Sequence, residues 1–342
     1  MRLSDFDYSL PPEFIAQHPL DRRDQCRLMV VDSRSHTIEH RRFHEIIDYL
    51  NPGDTLVMND SRVIPARLNG TIEGSERRAE VLLLKRLEDG SWEALVRPGR
   101  RLLPGARVIV PRVKPGAEGN LTVTILRTGE GGIRTVCLTG ANAPDGYGKM
   151  PLPPYIHARL EDDERYQTVY SKFRGSAAAP TAGLHFTPGL LDEIRRKKVN
   201  TSFVTLHVGL DTFQPVRVED PSRHHIHTEY GAVSRETADL INDTHSRGKR
   251  VIAVGTTSVR LMEAASQEGR AEALEGQVGL FILPGYKFRV TDAMVTNFHL
   301  PRSTLLMMAS AFAGREFILH CYEEAKKEDY RFYSFGDAML IL

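Results

Sequence analysis

At 342 residues, with 41% apolar and 26% charged side chains, the chain has an ordinary globular composition and is too long for one small core, so two domains are expected. A net charge of +1 excludes a molecule-wide basic field, and contact with nucleic acid would need a local patch. Cys26, Cys137 and Cys321 lie far apart without a C-x-x-C pair, which argues against a disulfide framework or a thiolate zinc site and suits a cytoplasmic location.

Arg2, Asp5 and Asp7 precede any apolar run, unlike a secretory signal, and no run reaches membrane-spanning length. Residues 1–66 read as part of an α/β layer. Leu28 to Val31 is a short apolar run, His36 to Phe43 alternates, Glu45 to Leu50 has helical spacing, and Thr55 to Met58 follows the turn Asn51-Pro52-Gly53. NDSRVIPARLNG at 59–70 breaks the pattern. Beyond it come short β-type runs at Ala79 to Leu84, Trp92 to Val96, Arg107 to Val110, Leu121 to Leu126 and Ile133 to Leu138, punctuated by Gly, Pro, Asp and Asn. This predicts a small all-β domain over 67–148, inserted into a main domain made of 1–66 and 149–342. Within it, residues 97–114 carry Arg97, Arg100, Arg101, Arg107, Arg112 and Lys114 and no acidic residue. That run is either a solvated basic face or a contact for a phosphate backbone.

GYGKMPLPPYI at 146–156 returns the chain to the main domain. GSAAAPTAGLHFTPG at 175–189 consists mostly of small residues and leads to Thr187, a helix N-cap residue, with Pro188 at the first helical position and Leu190, Leu191 and Ile194 on one face. Such a loop is either a tight crossover or a cradle that aims backbone N–H groups and the helix dipole at a carboxylate or phosphate. Phe203 to Val208 then reads as a strand, Arg235 to Ser246 as a helix capped by Ser234 and ended by Gly248, and Arg250 to Val254 as a strand. GTTS at 255–258 opens a helix over Val259 to Ser266; Gly279 to Leu283 and Met294 to Phe298 are strand-like, and Thr304 to Phe312 and Glu316 to Ala325 helical. The alternation predicts an α/β fold with a largely parallel sheet, open or closed.

In such folds ligands meet the loops at the carboxyl ends of strands. Those positions here are His207-Val208-Gly209, Gly255-Thr256-Thr257-Ser258, Pro284-Gly285-Tyr286 and Asn297-Phe298-His299-Leu300-Pro301. Each also has a purely structural reading, because Ser and Thr cap helices and Gly permits tight turns. No Walker A string is present and no G-x-G-x-x-G follows a strand, so neither a P-loop nor a dinucleotide-binding unit is supported. His36, His40 and His44 have a spacing that would suit a metal on a helix, but their segment alternates like a strand. His224, His225, His227 and Glu229 are denser and read either as a metal cluster or, for His227 and Glu229 on one face of an extended segment, as an acid/base pair.

The strings AAPTAGLHFT (178–187), HVGLDTFQPV (207–216), IHTEY (226–230), GTTSVR (255–260) and FILPGYKFRVTDAMVTNFHLPRSTLLMMASAFAG (281–314) resemble the S-adenosylmethionine:tRNA ribosyltransferase-isomerases of queuosine biosynthesis. NDSRVIPARLNG, GKMPLPPYI and RFYSFGDAMLI (331–341) agree, so the resemblance spans essentially the whole chain. It implies a distorted α/β barrel with an inserted β-barrel domain; a monomer and no metal site are expected beside it. The implied reaction moves the ribosyl part of S-adenosylmethionine onto 7-aminomethyl-7-deazaguanine at the tRNA wobble position, giving epoxyqueuosine and releasing adenine and methionine. S-adenosylmethionine is then a consumed substrate and no cofactor is needed.

That chemistry requires a base beside the ribose carbon acidified by the sulfonium, a proton for departing adenine, a neutral aminomethyl nucleophile and charged partners for the methionine end. His227 and Glu229 are the expected proton carriers, with His185 and His207 assisting. Thr181, Gly183, Thr187, Asp211, Thr256, Thr257, Ser258, Arg260, Asn297 and His299 are expected around the substrate. The methionine carboxylate is expected at the helix start after Thr187 or within Thr256 to Ser258, with Arg260 as its cationic partner. Arg97, Arg100 and Arg101 are the expected contacts for the tRNA anticodon arm. Asp211 stands where the family pattern has glycine, and Ile226 where it has Met or Leu; Asp tolerates the left-handed backbone region better than most residues. Two other classes are an α/β-barrel enzyme acting on a small nucleotide or sugar phosphate, separable by activity on the free nucleoside, and a non-catalytic RNA-binding scaffold, which would consume no S-adenosylmethionine.

Overall fold

The computed structural model describes residues 1–113, 119–209, 216, 218–224, 226 and 228–342. Lys114, Asp211, His225 and His227 lie outside the described residues. The chain divides into two compact units: Met1–Ser61, Pro154–Phe173 and Pro180–Leu342 form the first, and Arg62–Pro153 with Arg174–Ala179 the second.

The first unit is built on a nine-stranded mixed sheet. Its strands are β1 (Arg27–Asp32), β2 (Thr37–Arg42), β3 (Thr55–Asn59), β4 (Asn200–Leu206), β5 (Glu229–Val233), β6 (Val251–Val254), β7 (Leu274–Val278), β8 (Ala293–Asn297) and β9 (Ala338–Ile341). They lie in the order β7-β5-β4-β3-β6-β8-β9-β1-β2. The middle, β4-β3-β6-β8, is parallel, as is the β9/β1 pair. The pairs β8/β9, β1/β2, β4/β5 and β5/β7 are antiparallel. The largely parallel sheet expected from the alternation is thus confined to the middle; β1 and β2 are joined by a short turn, which only an antiparallel pair accepts.

Side-chain alternation along β3 places helices on both faces. Leu56 and Met58 join an apolar cluster with Leu190, Leu191 and Ile194 of α1 (Pro188–Arg196). Thr55 bonds to Thr244 of α2 (Arg235–Ser246) and Asn59 to Thr257 of α3 (Thr256–Ala264), on the other face. Thr187 and Ser234 cap α1 and α2 through their hydroxyls, as their sequences predict. Helix α3 starts at Thr256, ahead of the Val259 start expected from apolar spacing. It is buried from Thr256 through Glu263, so no polar face marks its first turn. Gly279 to Leu283 is not a strand; the ladder partner of β5 is the more polar Leu274–Val278. That strand lies at the end of the sheet and leaves part of its surface in solvent, so its sequence lacks a buried-strand pattern. The helices α4 (Thr304–Ala313) and α5 (Arg315–Lys327) complete the unit.

The second unit is a closed six-stranded barrel of Arg67–Ile72, Arg78–Arg86, Trp92–Arg97, Arg107–Val110, Leu121–Thr128 and Ile133–Thr139, with antiparallel pairs throughout. Alternate residues such as Val81, Leu83, Ala94, Val108, Val123 and Val136 fill its interior. Closure leaves no unpaired sheet edge. Arg174–Ala179 belongs here through the Ile64 N–H, which donates to the Ser176 carbonyl (3.0 Å), and through the Arg174–Asp145 ion pair.

Candidate active site

Parallel pairing brings the carboxyl ends of β3, β4, β6 and β8 to one edge of the sheet, and polar side chains collect there. Asn59 ends β3 fully buried. Its amide donates to the Leu206 carbonyl (3.0 Å) and the Thr257 hydroxyl (3.2 Å), while its oxygen accepts from the N–H groups of Ser61 and Leu206, each at 3.1 Å. It joins the ends of two strands to the start of α3. Sequence reasoning does not single it out; the available signal is the polar pair Asn59-Asp60 closing the apolar run Thr55 to Met58.

The turn into α3 passes through Gly255 at φ +89°, a left-handed conformation that glycine adopts without strain, and no side chain caps the helix. Ser258 is occupied within the helix, donating to the Val254 carbonyl (2.8 Å). One turn on, the Arg260 Nη1 lies 2.7 Å from Glu229 Oε2, in an ion pair whose side chains are 4% and 7% exposed. Glu229 Oε1 accepts from the Gly209 N–H (2.7 Å). The expected proton carrier Glu229 is therefore also a brace between the loop after β4 and α3. Arg260 Nε and Nη2 are buried and have no partner among the described residues. A buried guanidinium with spare donors, on the helix face that follows an uncapped helix start, suits a carboxylate ligand.

His207 follows β4 directly. It stacks on Tyr230 (ring centres 5.6 Å apart), its Nδ1 has no partner among the described residues, and burial lowers its pKa. His185, Asn297 and Thr181 meet elsewhere on the same edge. Thr181 Oγ1 donates to Asn297 Oδ1 (3.0 Å), and the Asn297 amide faces His185 Nε2 (3.0 Å) and the carbonyls of Tyr333 and Asp337. That orientation makes Nε2 an acceptor and puts the ring proton on Nδ1, toward the Cys26 sulfur at 3.1 Å. Burial, aided by Arg331 and Arg23, pushes the His185 pKa down to about 3, so the ring is neutral and internally bonded. His299 is likewise buried, held by Thr296 Oγ1 at 2.7 Å, with its pKa pushed down to about 3 by burial. Gly183 has a packing reason: a Cβ there would lie 2.0 Å from the Tyr170 hydroxyl.

Thr187 sits apart from this group. A groove of about 680 Å³ opens at the start of α1, lined in part by Arg22, Arg23, Asp24, His44, Arg165 and Thr187. Its helix start is a poor anion site. Pro188 has no N–H, the Leu190 N–H is taken by Thr187, and Thr187 in turn donates to the Asp24 carboxylate (3.3 Å). Arg23 and Arg165 are turned to backbone carbonyls of 164, 167, 20 and 21.

In the second unit Arg97, Arg100 and Arg101 are exposed, and none makes an ion pair with a described residue. Arg107 pairs with Glu73 (3.0 Å). Buried Arg134 grips the carbonyls of Leu102 and Gly99, each at 3.1 Å, and so holds from beneath the loop that displays Arg100 and Arg101. Among the described residues no three His, Cys, Asp or Glu side chains converge on a metal position, and no helix is long and apolar enough to cross a membrane.

Comparison with known proteins matches residues 3–341 to the family described as queuosine biosynthesis protein. A protein named S-adenosylmethionine:tRNA ribosyltransferase-isomerase from Dehalococcoides mccartyi (strain CBDB1) is 52% identical over 345 residues, covering 100% of both chains. The crystal structure of S-adenosylmethionine tRNA ribosyltransferase from Thermotoga maritima is 41% identical, with a TM-score of 0.57 over 99% of this chain and 100% of that one. An α/β unit with an inserted six-stranded barrel, a full-length family match and this level of identity lead to one conclusion: the chain belongs to the S-adenosylmethionine:tRNA ribosyltransferase-isomerase family of queuosine biosynthesis enzymes.

Proposed function

We propose that the chain transfers the ribosyl moiety of S-adenosylmethionine to 7-aminomethyl-7-deazaguanine at the wobble position of tRNA, producing epoxyqueuosine, adenine and methionine. S-adenosylmethionine is consumed and no cofactor takes part; the enzyme works as a cytoplasmic monomer. The observation that carries the reading is Arg260, buried against Glu229 with two donor nitrogens that no described residue satisfies, beside the uncapped start of α3. The methionine carboxylate takes those donors and the N–H groups of Thr256 and Thr257. Charge complementarity at a desolvated site then fixes the sulfonium end for reaction. His207, at the end of β4 with an Nδ1 that no described residue bonds and a pKa lowered by burial, is the base candidate that remains open to a ligand, whereas His185 acts through Asn297 and Thr181 by holding the pocket wall. His227 and Asp211 keep the roles expected of them from the sequence.

The anticodon arm meets Arg97, Arg100 and Arg101. Replacing Arg100 and Arg101 by Ala is expected to weaken tRNA binding and to reduce the salt slope by about 1 for each lost phosphate contact. An unchanged slope would leave the patch as a solvated face. The reaction itself is tested by mass measurement of the wobble nucleoside after incubation with S-adenosylmethionine. A gain matching an epoxycyclopentanediol unit, with release of adenine, is expected; a methyl gain, or no change, overturns the assignment.

A further inference from the structure

We propose that Asp60 is a catalytic proton donor, whose carboxyl hands its proton to the departing purine of the bound sulfonium nucleoside. The proposal rests on the reading that this enzyme expels adenine from S-adenosylmethionine.

Asp60 is the first residue beyond β3, which lies between β4 and β6 in the parallel middle of the sheet. Its backbone is fixed on both sides: the N–H donates to the Val204 carbonyl (2.9 Å), and its own carbonyl accepts from the Lys172 N–H (2.7 Å). Asn59 turns its side chain to α3, so alternation directs Asp60 to the opposite face. There Oδ1 accepts a hydrogen bond from the Thr205 hydroxyl (2.7 Å), which leaves Oδ2 to carry a proton. The residue is 6% exposed, and no cation lies within ion-pair distance of its carboxylate among the described residues.

Among the described residues two titratable groups face it. Lys172 favours the carboxylate, and the Tyr170 hydroxyl is itself held un-ionised by burial and by Asp60. Burial outweighs the Thr205 hydrogen bond and Lys172 and raises the Asp60 pKa above the ordinary carboxylate value. A carboxyl that keeps its proton longer on the way to neutral pH is suited to general acid catalysis.

The surroundings supply an independent pointer to a polar ligand. The buried hydroxyls of Thr168 and Tyr170 have no partner among the described residues. Each such group carries a desolvation cost unless something bonds to it, and a purine edge offers both donors and acceptors. Tyr170 and Thr168 pack against Gly183, where an added Cβ would meet Tyr170 Oη at 2.0 Å and Thr168 Cγ2 at 2.9 Å. The preceding residue, Ala182, lies 3.6 Å from the position a Cβ would take on Gly255, at the start of α3. A chain of neighbours, Tyr170, Gly183 and Ala182, thus leads from Asp60 to Gly255, the residue that precedes α3.

The step balances without a redox partner. The bond between the ribose anomeric carbon and the purine nitrogen breaks with its electron pair going to the purine, and the ribose ring oxygen shares the positive charge left on the anomeric carbon; the proton on Asp60 Oδ2 passes to a purine ring nitrogen. Asp60 is left as a carboxylate and regains a proton from water before the next turnover.

The test is single-turnover release of adenine across a pH series, for the wild-type enzyme with substrate tRNA, for Asp60→Asn and for Thr205→Val. Asp60→Asn is expected to slow release by about 10²–10⁴-fold while equilibrium binding of S-adenosylmethionine stays close to wild type. Thr205→Val removes a hydrogen bond that favours the Asp60 carboxylate, so the high-pH limb of the rate profile should move to higher pH. This second variant reads the proton directly and keeps the test decisive if Asp60→Asn folds poorly. A wild-type rate in Asp60→Asn, or an unmoved limb in Thr205→Val, removes Asp60 from the chemistry. Failure of the wild-type enzyme to release adenine would instead overturn the function proposed above.

Discussion

The starts of α1 and α3 look alike as sequence, since both follow small-residue turns and both offer Thr near the first helical turn. Their surroundings differ. At α1 the hydroxyl of Thr187 caps Leu190 and binds Asp24, so a carboxylate of the protein already faces the positive helix end. At α3 no side chain caps the helix, and the nearby charge is a buried arginine with two donors that no described residue takes. A helix dipole alone does not define an anion site; what decides is whether the protein has already neutralised it.

The sharpest way to break this comparison is Arg260→Met. It leaves Glu229 buried without its cation and is expected to lower unfolding stability by about 3–5 kcal/mol and to abolish S-adenosylmethionine binding. Adding Glu229→Gln should return part of the stability but none of the binding. Denaturant unfolding and equilibrium binding check both halves, and intact binding in the single variant would move the carboxylate away from α3.

A second effect, spread over several pH units, concerns two buried histidines. His185 and His299 are neutral in the folded protein, with pKa values pushed from 6.5 down to about 3. The unfolded chain binds their protons at higher pH than the native state does. Their stabilisation is therefore fully present above pH 6.5 and is lost as pH falls toward 3, by up to about 1.4 kcal/mol per pH unit for each histidine. The midpoint of urea unfolding measured at several pH values should show this slope, and His185→Gln should flatten it. An unaltered slope would mean that the ring is protonated in the fold.

The smallest effect distinguishes the two helix starts most cleanly. Thr187→Ala removes an N-cap and is expected to cost about 1 kcal/mol of stability while leaving S-adenosylmethionine affinity unchanged. Thr257→Ala should do the reverse in emphasis, weakening affinity because it loosens the Asn59 contact at α3. Reduced affinity in Thr187→Ala would bring the groove beside α1 back as the carboxylate site.

Local signals account for much of what could be read without coordinates. Ser234 and Thr187 predict their helix starts because a cap is satisfied within four residues, and the alternating runs from Ala79 to Leu138 reveal the barrel because each strand has one buried and one outward face. The strand Leu274–Val278 and the early start of α3 escape the same reasoning. The first is a strand because of β5, and the second is buried on every side, so neither carries its reason in its own spacing.

By itself the sequence determined the family, the α/β class with its inserted β unit, and the stretches from which a site is built, because motifs, caps and periodicities are properties of neighbouring residues. Tertiary structure decided what those stretches do. The Arg260–Glu229 pair spans 31 positions, Asn59 reaches Thr257 across nearly 200, and Asp60 gains its low exposure from Thr205 and the 168–172 segment. Desolvation and pairing depend on which distant groups arrive beside a side chain, and only the assembled sheet brings them there.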